Sequence, residues 1–385
     1  MKPKRKVFVC VMNSGAYGRD AAAGVWDYVR EHGNWEIQFD GASNHPQSLV
    51  RIRRILSEWK ADGILGQIVH GGLPRTIARL GLPAVSISNS VVSAFPTVRI
   101  DNELVGCMAA QYFAGRGLRN FAFFGRLGFH HGGERSHAFS AELARAGRVS
   151  DTLFVAKKVS CDDRSITRWL KALPKPVGLL THDVYDGRDL IDTCRKLGLK
   201  IPDEVAVLAG DNDEIECNMC TPPLSGVVVP FRKIGYGAAQ LMDRLLDGAR
   251  PVAKAILVKP THVATRQSTD VLGIADADLA ATIRYIHAHA CEGINVSDVV
   301  AHACESRRAL ERRFLRELGR TPRAEIVRAR LEKAKSLLSA SALKIADISR
   351  SCGYGKYVRF ARVFKQQTGQ TPSEYRGQAR TPAPQ

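Results

Sequence analysis

Nowhere in the 385 residues does an apolar run approach the ~18 positions that a membrane-spanning helix needs, so a membrane span is excluded. The basic start, MKPKRKVFVCVMNSGAYG, does not read as a secretory leader: residues 13–18 interrupt the apolar run too early, leaving a first strand. A cytosolic protein is expected, with its nine scattered cysteines, an odd number, kept as thiols. Cys217 and Cys220 are the one close pair; without a second pair or histidines at ligand spacing they read as ordinary loop thiols, and no metal is expected. A nucleophile elbow, a phosphate loop and a metal triad are all missing, so neither an enzyme nor a cofactor is expected.

Apolar residues at 45% and charged residues at 24% describe a folded chain, long enough for two or three compact units. Its net charge of +18 points to a polyanionic partner, and its placement sharpens that. Residues 271–385 carry 20 Lys and Arg against 11 Asp and Glu, half of the net charge in under a third of the chain.

Over residues 7–266, short β-branched runs alternate with amphipathic helical stretches, the pattern of β-α units around parallel sheets. In the first helix, predicted at 20–31, Ala23, Trp26, Tyr28 and Val29 are assigned to one face. Two lobes with chain crossings near Ile100, Val228 and Lys259 would enclose a cleft. His130, His131, Gly132 and Gly133 read as a loop beside it with no ligand role, and Trp169 as a packing residue.

From Asp276 the pattern becomes purely helical and repeats itself. Phe314-Leu315-x3-Gly319-x-Thr321-Pro322 recurs 50 residues later as Phe364-Lys365-x3-Gly369-x-Thr371-Pro372. Each copy has a helix, a short turn and a basic helix: residues 296–303 then 306–318, and 345–351 then 356–368. Gly319 and Gly369 supply helix C-termini, and Thr321 and Thr371, each followed by proline, supply the next N-termini. Periodicity turns Leu310, Phe314 and Leu318 inward and Arg307, Arg308, Glu311 and Arg312 outward. In the second copy Phe360 and Phe364 turn inward, leaving Lys356, Tyr357, Arg359 and Arg362 outward. Two duplicated basic faces fit double-stranded DNA, where such cations read bases or neutralise phosphates.

This segment resembles the DNA-binding domain of the AraC family of transcription regulators. The resemblance rests on Arg328-x-Arg330-Leu331, Ala334 and Leu337-Leu338 in a connecting helix, Ile345-Ala346-Asp347-Ile348, Cys352-Gly353-Tyr354, Phe360-x-Arg362-Val363-Phe364-Lys365 and Thr371-Pro372-Ser373-Glu374-Tyr375-Arg376. It departs from the family at Cys304-Glu305, where glycine and an apolar residue are usual, and at Gly355, where a capping residue is common. The first 270 residues resemble the periplasmic-binding-protein-like sensors of LacI-type regulators. Here the carrying residues are Asp101-Asn102, Arg119-x-Phe121-Ala122-Phe123-x-Gly125, Ile201-Pro202-Asp203-Glu204, Gly210-Asp211-Asn212 and Pro222-Pro223-Leu224-Ser225.

A sensor fused in this order to an AraC-type unit is similar to the xylose-operon regulators, as are Ala16-Tyr17-x-Arg19 and Glu134-Arg135-x-x-Ala138-Phe139. The resemblance implies an α/β two-lobed periplasmic-binding-protein-like domain followed by an all-α domain with two helix-turn-helix motifs. The expected divisions are a sensor at 1–270, a linker at 271–276, the DNA-binding domain at 277–378 and a disordered tail at 379–385. It also implies D-xylose or a related sugar as ligand, a homodimer, and RNA polymerase as a partner if the protein activates. The residues carried over as sugar contacts are Asn13, Tyr17, Arg19, Asp101, Asn102, Arg135, Asp183, Asp211 and Asn212. Such carboxylates, amides and guanidinium groups match vicinal hydroxyls. Asp101 is alternatively a helix cap and Glu134-Arg135 a surface pair. Another sugar or small metabolite is the alternative ligand. A transporter's solute-binding protein is the remote alternative, and it would need an export signal and have no use for Arg312 or Arg362.

Overall fold

The protein is described from a computed structural model over residues 4–33, 35–41, 46–69, 72–91, 93–251, 254–270 and 276–380. The first lobe runs β1 (Arg5–Cys10), α1 (Ala16–His32), β2 (Trp35–Asp40), α2 (Pro46–Glu58), β3 (Gly63–Gly66), α3 (Leu73–Leu80) and β4 (Ala84–Ser86). Its strands pair in parallel in the order β2-β1-β3-β4. Val7, Phe8, Val9 and Cys10 are all buried because helices cover both faces of β1, so its apolar residues run on without alternating.

The chain crosses through β5 (Val98–Ile100) into α4 (Asn102–Ala114), β6 (Asn120–Arg126), α5 (His130–Arg145), β7 (Ser150–Val155) and α6 (Arg164–Ala172). It continues through β8 (Val177–Thr181), α7 (Val184–Lys196), β9 (Val205–Ala209), α8 (Glu214–Met219) and β10 (Ser225–Val228). It then returns through α9 (Phe231–Leu246), β11 (Ile256–Val258) and β12 (His262–Ala264). The second sheet has the order β12-β10-β9-β8-β6-β7, antiparallel only where β12 meets β10, while β11 pairs with β5 at the crossing. Helix α9 packs on α1, and glycines let the two backbones meet: a Cβ on Gly24 would stand 1.9 Å from the Arg232 carbonyl oxygen, and one on Gly235 1.7 Å from that of Ala21.

Two expectations fail here. Residues 130–133 open α5 rather than forming a loop. First-lobe carbonyls terminate that helix, since His130 N–H donates to Ser90 O (3.0 Å) and His131 N–H to Asn89 O (3.2 Å). Trp26 is 60% exposed, because the buried stripe of α1 follows Ala21, Val25, Tyr28 and Val29.

The C-terminal part is α10 (Ala277–His289), a 3-10 turn (Ala290–Glu292), α11 (Val296–Ala303), α12 (Arg307–Leu318), α13 (Pro322–Ala340), α14 (Ile345–Ser351), α15 (Tyr357–Thr368) and α16 (Pro372–Arg380). Each helix-turn-helix unit has its own core. Leu279, Ile283, Val299, Leu310, Phe314 and Ile326 form the first; Leu331, Ala334, Leu338, Ile348, Phe360, Phe364 and Tyr375 form the second. Helix α13 contributes to both and so joins them. Most of the expected linker, 271–275, and of the expected tail, 381–385, lies outside the described residues. Asp276 caps α10 through Leu279 N–H (3.1 Å), and α16 extends through Arg380, two residues into the segment expected to be a tail.

Candidate functional site: the interlobe cleft and two basic helices

Loops following β1, β8 and β9 converge between the lobes, at the carboxyl ends of parallel strands. They enclose a cavity of about 120 Å³ lined by Met12, Gly15, Tyr17, Gln67, Tyr185, Asp211, Asp213 and Phe231, among others. The Tyr17 hydroxyl donates to the Ile87 carbonyl, and its ring meets Phe231 edge-on at 5.2 Å. Asp213, absent from the expected contacts, caps α8 through Ile215 N–H (3.1 Å) and reaches across the cleft. Its Oδ2 accepts from Ala16 N–H at 2.8 Å and Arg19 Nη2 at 3.2 Å. Its position next to Asn212, in the loop already singled out, was the available signal.

A buried polar chain supports the second-lobe wall. Arg99, also not anticipated, grips Glu134 with two bonds (2.6 and 2.8 Å), and Asn102 Nδ2 donates to the same carboxylate at 2.9 Å. Asn102 Oδ1 accepts from Arg135 Nε at 3.0 Å, and Arg135 Nη1 donates to the His182 carbonyl. Arg135 is 1% exposed, so the surface-pair alternative for Glu134-Arg135 fails. Burial lowers the Arg135 pKa and lifts the Asp211 carboxyl to about 6, with Asp183 adding to the rise and Arg135 opposing it. Asp211 accepts Val184 N–H at 2.9 Å, and Asp183 accepts Asp186 N–H at 2.9 Å. The His182 ring lies 3.2 Å from Asp183 and 2.7 Å from Asp186; burial opposes its charge, but the two carboxylates outweigh that and raise its pKa. Donor atoms of these three residues lie close enough together for a metal ion, yet Asp186 also binds Arg126 Nε at 2.6 Å, making the group a self-neutralised network.

Tyr17 and Asp211 therefore line the cavity, while Arg135, held by Asn102, stands behind Asp211, and Asp183 caps α7 and adds a like charge nearby. Asn13 is exposed in the loop after β1, and Arg19 is exposed near the start of α1. Two expected contacts have other partners: Asp101 caps α4 through Leu104 N–H (3.0 Å), and Asn212 Oδ1 accepts from Arg266 Nη1 (2.9 Å).

On the helical half, Leu310, Phe314, Phe360 and Phe364 are fully buried, leaving the opposite faces of α12 and α15 exposed. Arg307 pairs with Glu311 one turn on (2.9 Å). Among the described residues, Arg308, Arg312, Lys356, Arg359 and Arg362 are exposed and in no ion pair. Val358 (76% exposed), which charge-based reading passed over, lies beside exposed Tyr357 on α15. Arg313 turns back to Asp276 (2.5 Å) and Glu305 (2.8 Å).

The two halves touch. Tyr375 Oη donates to Thr261 O at 3.2 Å, Arg119 pairs with Glu317 at 3.3 Å, and Arg320 Nη2 donates to the Gly115 carbonyl. Cavities of about 320 and 260 Å³ flank this junction, both lined by Arg116, Arg328 and Glu332.

Comparison with known proteins agrees with this division. Residues 110–269 match the periplasmic binding protein-like domain family, and residues 299–378 a helix-turn-helix domain family. The chain is 31% identical to the xylose operon regulatory protein of Escherichia coli K12, over 98% of each chain. The chain belongs to the xylose operon regulatory protein family. It is a sugar-sensing, AraC-type transcription regulator and not an enzyme. The Haemophilus influenzae member is 28% identical over 94% of this chain and 95% of its own. A solved structure of the xylose-binding transcription activator XylR has 27% identity and a TM-score of 0.60, covering 97% of this chain and 98% of its own. No helix among the described residues is long and apolar enough to cross a membrane.

Proposed function

We propose that this regulator is a cytoplasmic homodimer that binds D-xylose between its lobes and activates xylose-use genes, with RNA polymerase as its partner at the promoter. The observation that carries the ligand reading is the cleft itself. Asp211 presents a carboxylate backed by the buried Arg135, while Tyr17 and Phe231 offer aromatic surface to the C–H face of a sugar. A ring with vicinal hydroxyls can donate to Asp211 and accept from a cation in pairs. Its similarity to the xylose operon regulatory protein and to the xylose-binding activator XylR supports the choice of xylose.

Sugar binding stabilises the closed lobes, to which the Asp213–Ala16 bridge already belongs, and the junction at Gly115, Glu317 and Tyr375 transmits closure to the helical half. Helices α12 and α15 then enter successive major grooves ~34 Å apart. Arg307, Arg308, Glu311 and Arg312 serve the first, and Lys356, Tyr357, Arg359 and Arg362 the second. Sugar and operator must strengthen each other reciprocally, since only a difference in DNA affinity between open and closed states can carry the signal.

Calorimetric titration with D-xylose, L-arabinose, D-ribose and D-glucose tests the ligand. Saturable binding of xylose alone, lost in Asp211→Ala, is the expected result. Binding of a different sugar, or of none, overturns the xylose assignment and leaves the DNA-binding half standing. Operator affinity unchanged at saturating sugar and fixed salt would overturn the coupling.

A further inference from the structure

The two cavities at the junction of the sensor and the helical half, about 320 and 260 Å³, exceed the interlobe one and share no lining residue with it. The sensor contributes Arg116, just after α4, and Thr265, Arg266 and Gln267, just after β12; α13 contributes Arg328 and Glu332. Arg116 is 6% exposed. Its guanidinium lies over the Tyr112 ring, 3.6 Å from the centroid, with Nε donating to Thr269 O (3.1 Å) and Nη2 to Thr265 Oγ1 (3.3 Å). Among the described residues nothing accepts from Nη1, and Arg116 forms no ion pair. Burial lowers its pKa, and the nearby charge of Arg328 works in the same direction. A buried cation without a counterion is costly, and an anion in the adjoining space removes that cost.

Arg266 repeats the pattern. It donates Nε to Asn218 Oδ1 (2.8 Å) and Nη1 to Asn212 Oδ1 (2.9 Å) and Leu224 O (2.9 Å), leaving Nη2 without a partner and the group without a carboxylate among the described residues. The other lining cations are already neutralised, Arg328 by Glu325 (2.6 Å) and Lys335 by Glu332 (3.5 Å). Two uncompensated arginines match a dianion such as a phosphate group, whose oxygens accept from guanidinium nitrogens in pairs. Thr265, Gln267, Glu332 and exposed Asp270 suit hydroxyls instead, and the larger cavity offers far more space than a bare phosphate fills.

We propose that this junction is a second ligand site, for a sugar phosphate whose phosphate group is held by Arg116 and Arg266 and whose hydroxyls face Glu332. The site is separate from the interlobe cleft and does not depend on which sugar binds there. Because its walls come from both halves, an occupant ties the sensor to α13, the helix shared by the two helix-turn-helix cores.

The test titrates the full chain, in phosphate-free buffer, with D-ribose 5-phosphate, D-ribose and inorganic phosphate, reading heat by calorimetry and location by hydrogen exchange. The ester should bind and slow exchange in residues 262–270 and in α13. D-Ribose should leave those segments unchanged, wherever else it binds, and inorganic phosphate should bind at least about 10-fold more weakly than the ester. Arg116→Gln should weaken ester binding about 10- to 100-fold. Glu332→Gln keeps an acceptor for hydroxyls but removes a negative charge from the wall, so it should strengthen binding about 3-fold or more, and it decides the matter even if Arg116→Gln fails to fold. No binding at millimolar ester overturns the proposal. So does protection confined to the loops after β1, β8 and β9, which places the ester in the cleft, inorganic phosphate binding as tightly as the ester, or ester binding that is unchanged or weaker in Glu332→Gln.

Discussion

Arg135 Nη1 stands 4.0 Å from Asp211 Oδ2, beyond hydrogen-bond reach, although both belong to the same buried chain of polar groups. The guanidinium is committed to Asn102 and the His182 carbonyl, so Asp211 keeps acceptor capacity toward the cavity while feeling a nearby positive charge. Asp211→Asn should weaken sugar binding about 10- to 100-fold, the range for losing a hydrogen bond to a charged acceptor, as measured by calorimetry at pH 7.5.

The same carboxylate sets a pH dependence. Its folded pKa, about 6, lies above the ordinary aspartate value of about 3.9, so the folded state binds this proton more tightly than the unfolded chain. Its ionisation therefore costs stability at neutral pH, and the cost is relieved as pH falls through 6. Between pH 7.5 and 5.5, sugar affinity should drop while the unliganded protein gains stability relative to Asp211→Asn. Paired titrations and thermal melts at the two pH values check both signs.

Glu325 is completely buried, with His287 Nε2 at 2.6 Å, Arg328 Nη2 at 2.6 Å and Arg320 alongside. Burial works to raise its pKa, but the bonds from His287 and Arg328 and the charges of Arg328 and Arg320 outweigh it and hold the carboxyl far below the usual range. Its stabilisation is therefore present above the unfolded value of about 4.3 and declines as pH falls below that. Glu325→Gln, which strands two cations, should cost about 3–5 kcal/mol in the helical half, read as faster hydrogen exchange in α10 and α13.

Cys304 ends α11 in the left-handed conformation, φ +52°, which costs a side-chain-bearing residue energy that glycine avoids. Gly353 holds the matching position in the second unit, with φ +74°. Cys304→Gly should stabilise the first unit by about 0.5–1 kcal/mol net, measured by denaturant melts of the full chain.

Arg362 is expected to read a base. Arg362→Ala should cost about 1–3 kcal/mol of operator affinity and little on random DNA at the same salt. A uniform loss with a shallower salt dependence would instead make Arg362 a phosphate contact.

The helical duplication, its glycine stops and its threonine-proline helix starts were legible residue by residue, because capping and 3.6-residue periodicity are local properties. Phe314 and Phe364 could be placed in cores and Arg312 and Arg362 outside them from spacing alone, and the β-α alternation announced the two lobes. Pairings between distant segments were not legible. Residues 130–133 are helical because first-lobe carbonyls meet them; Asp213 crosses the cleft because the packing of the two lobes brings Ala16 within 2.8 Å. Glu325 carries a buried charge because Arg320, Arg328 and His287 converge on it. Most of the elements, most of their inward faces and the family follow from the sequence alone, since each depends on neighbours a few positions apart; residues 130–133 and Trp26 are the exceptions. Only the tertiary structure decided which polar groups lost water and met each other, since that depends on which distant segments pack together.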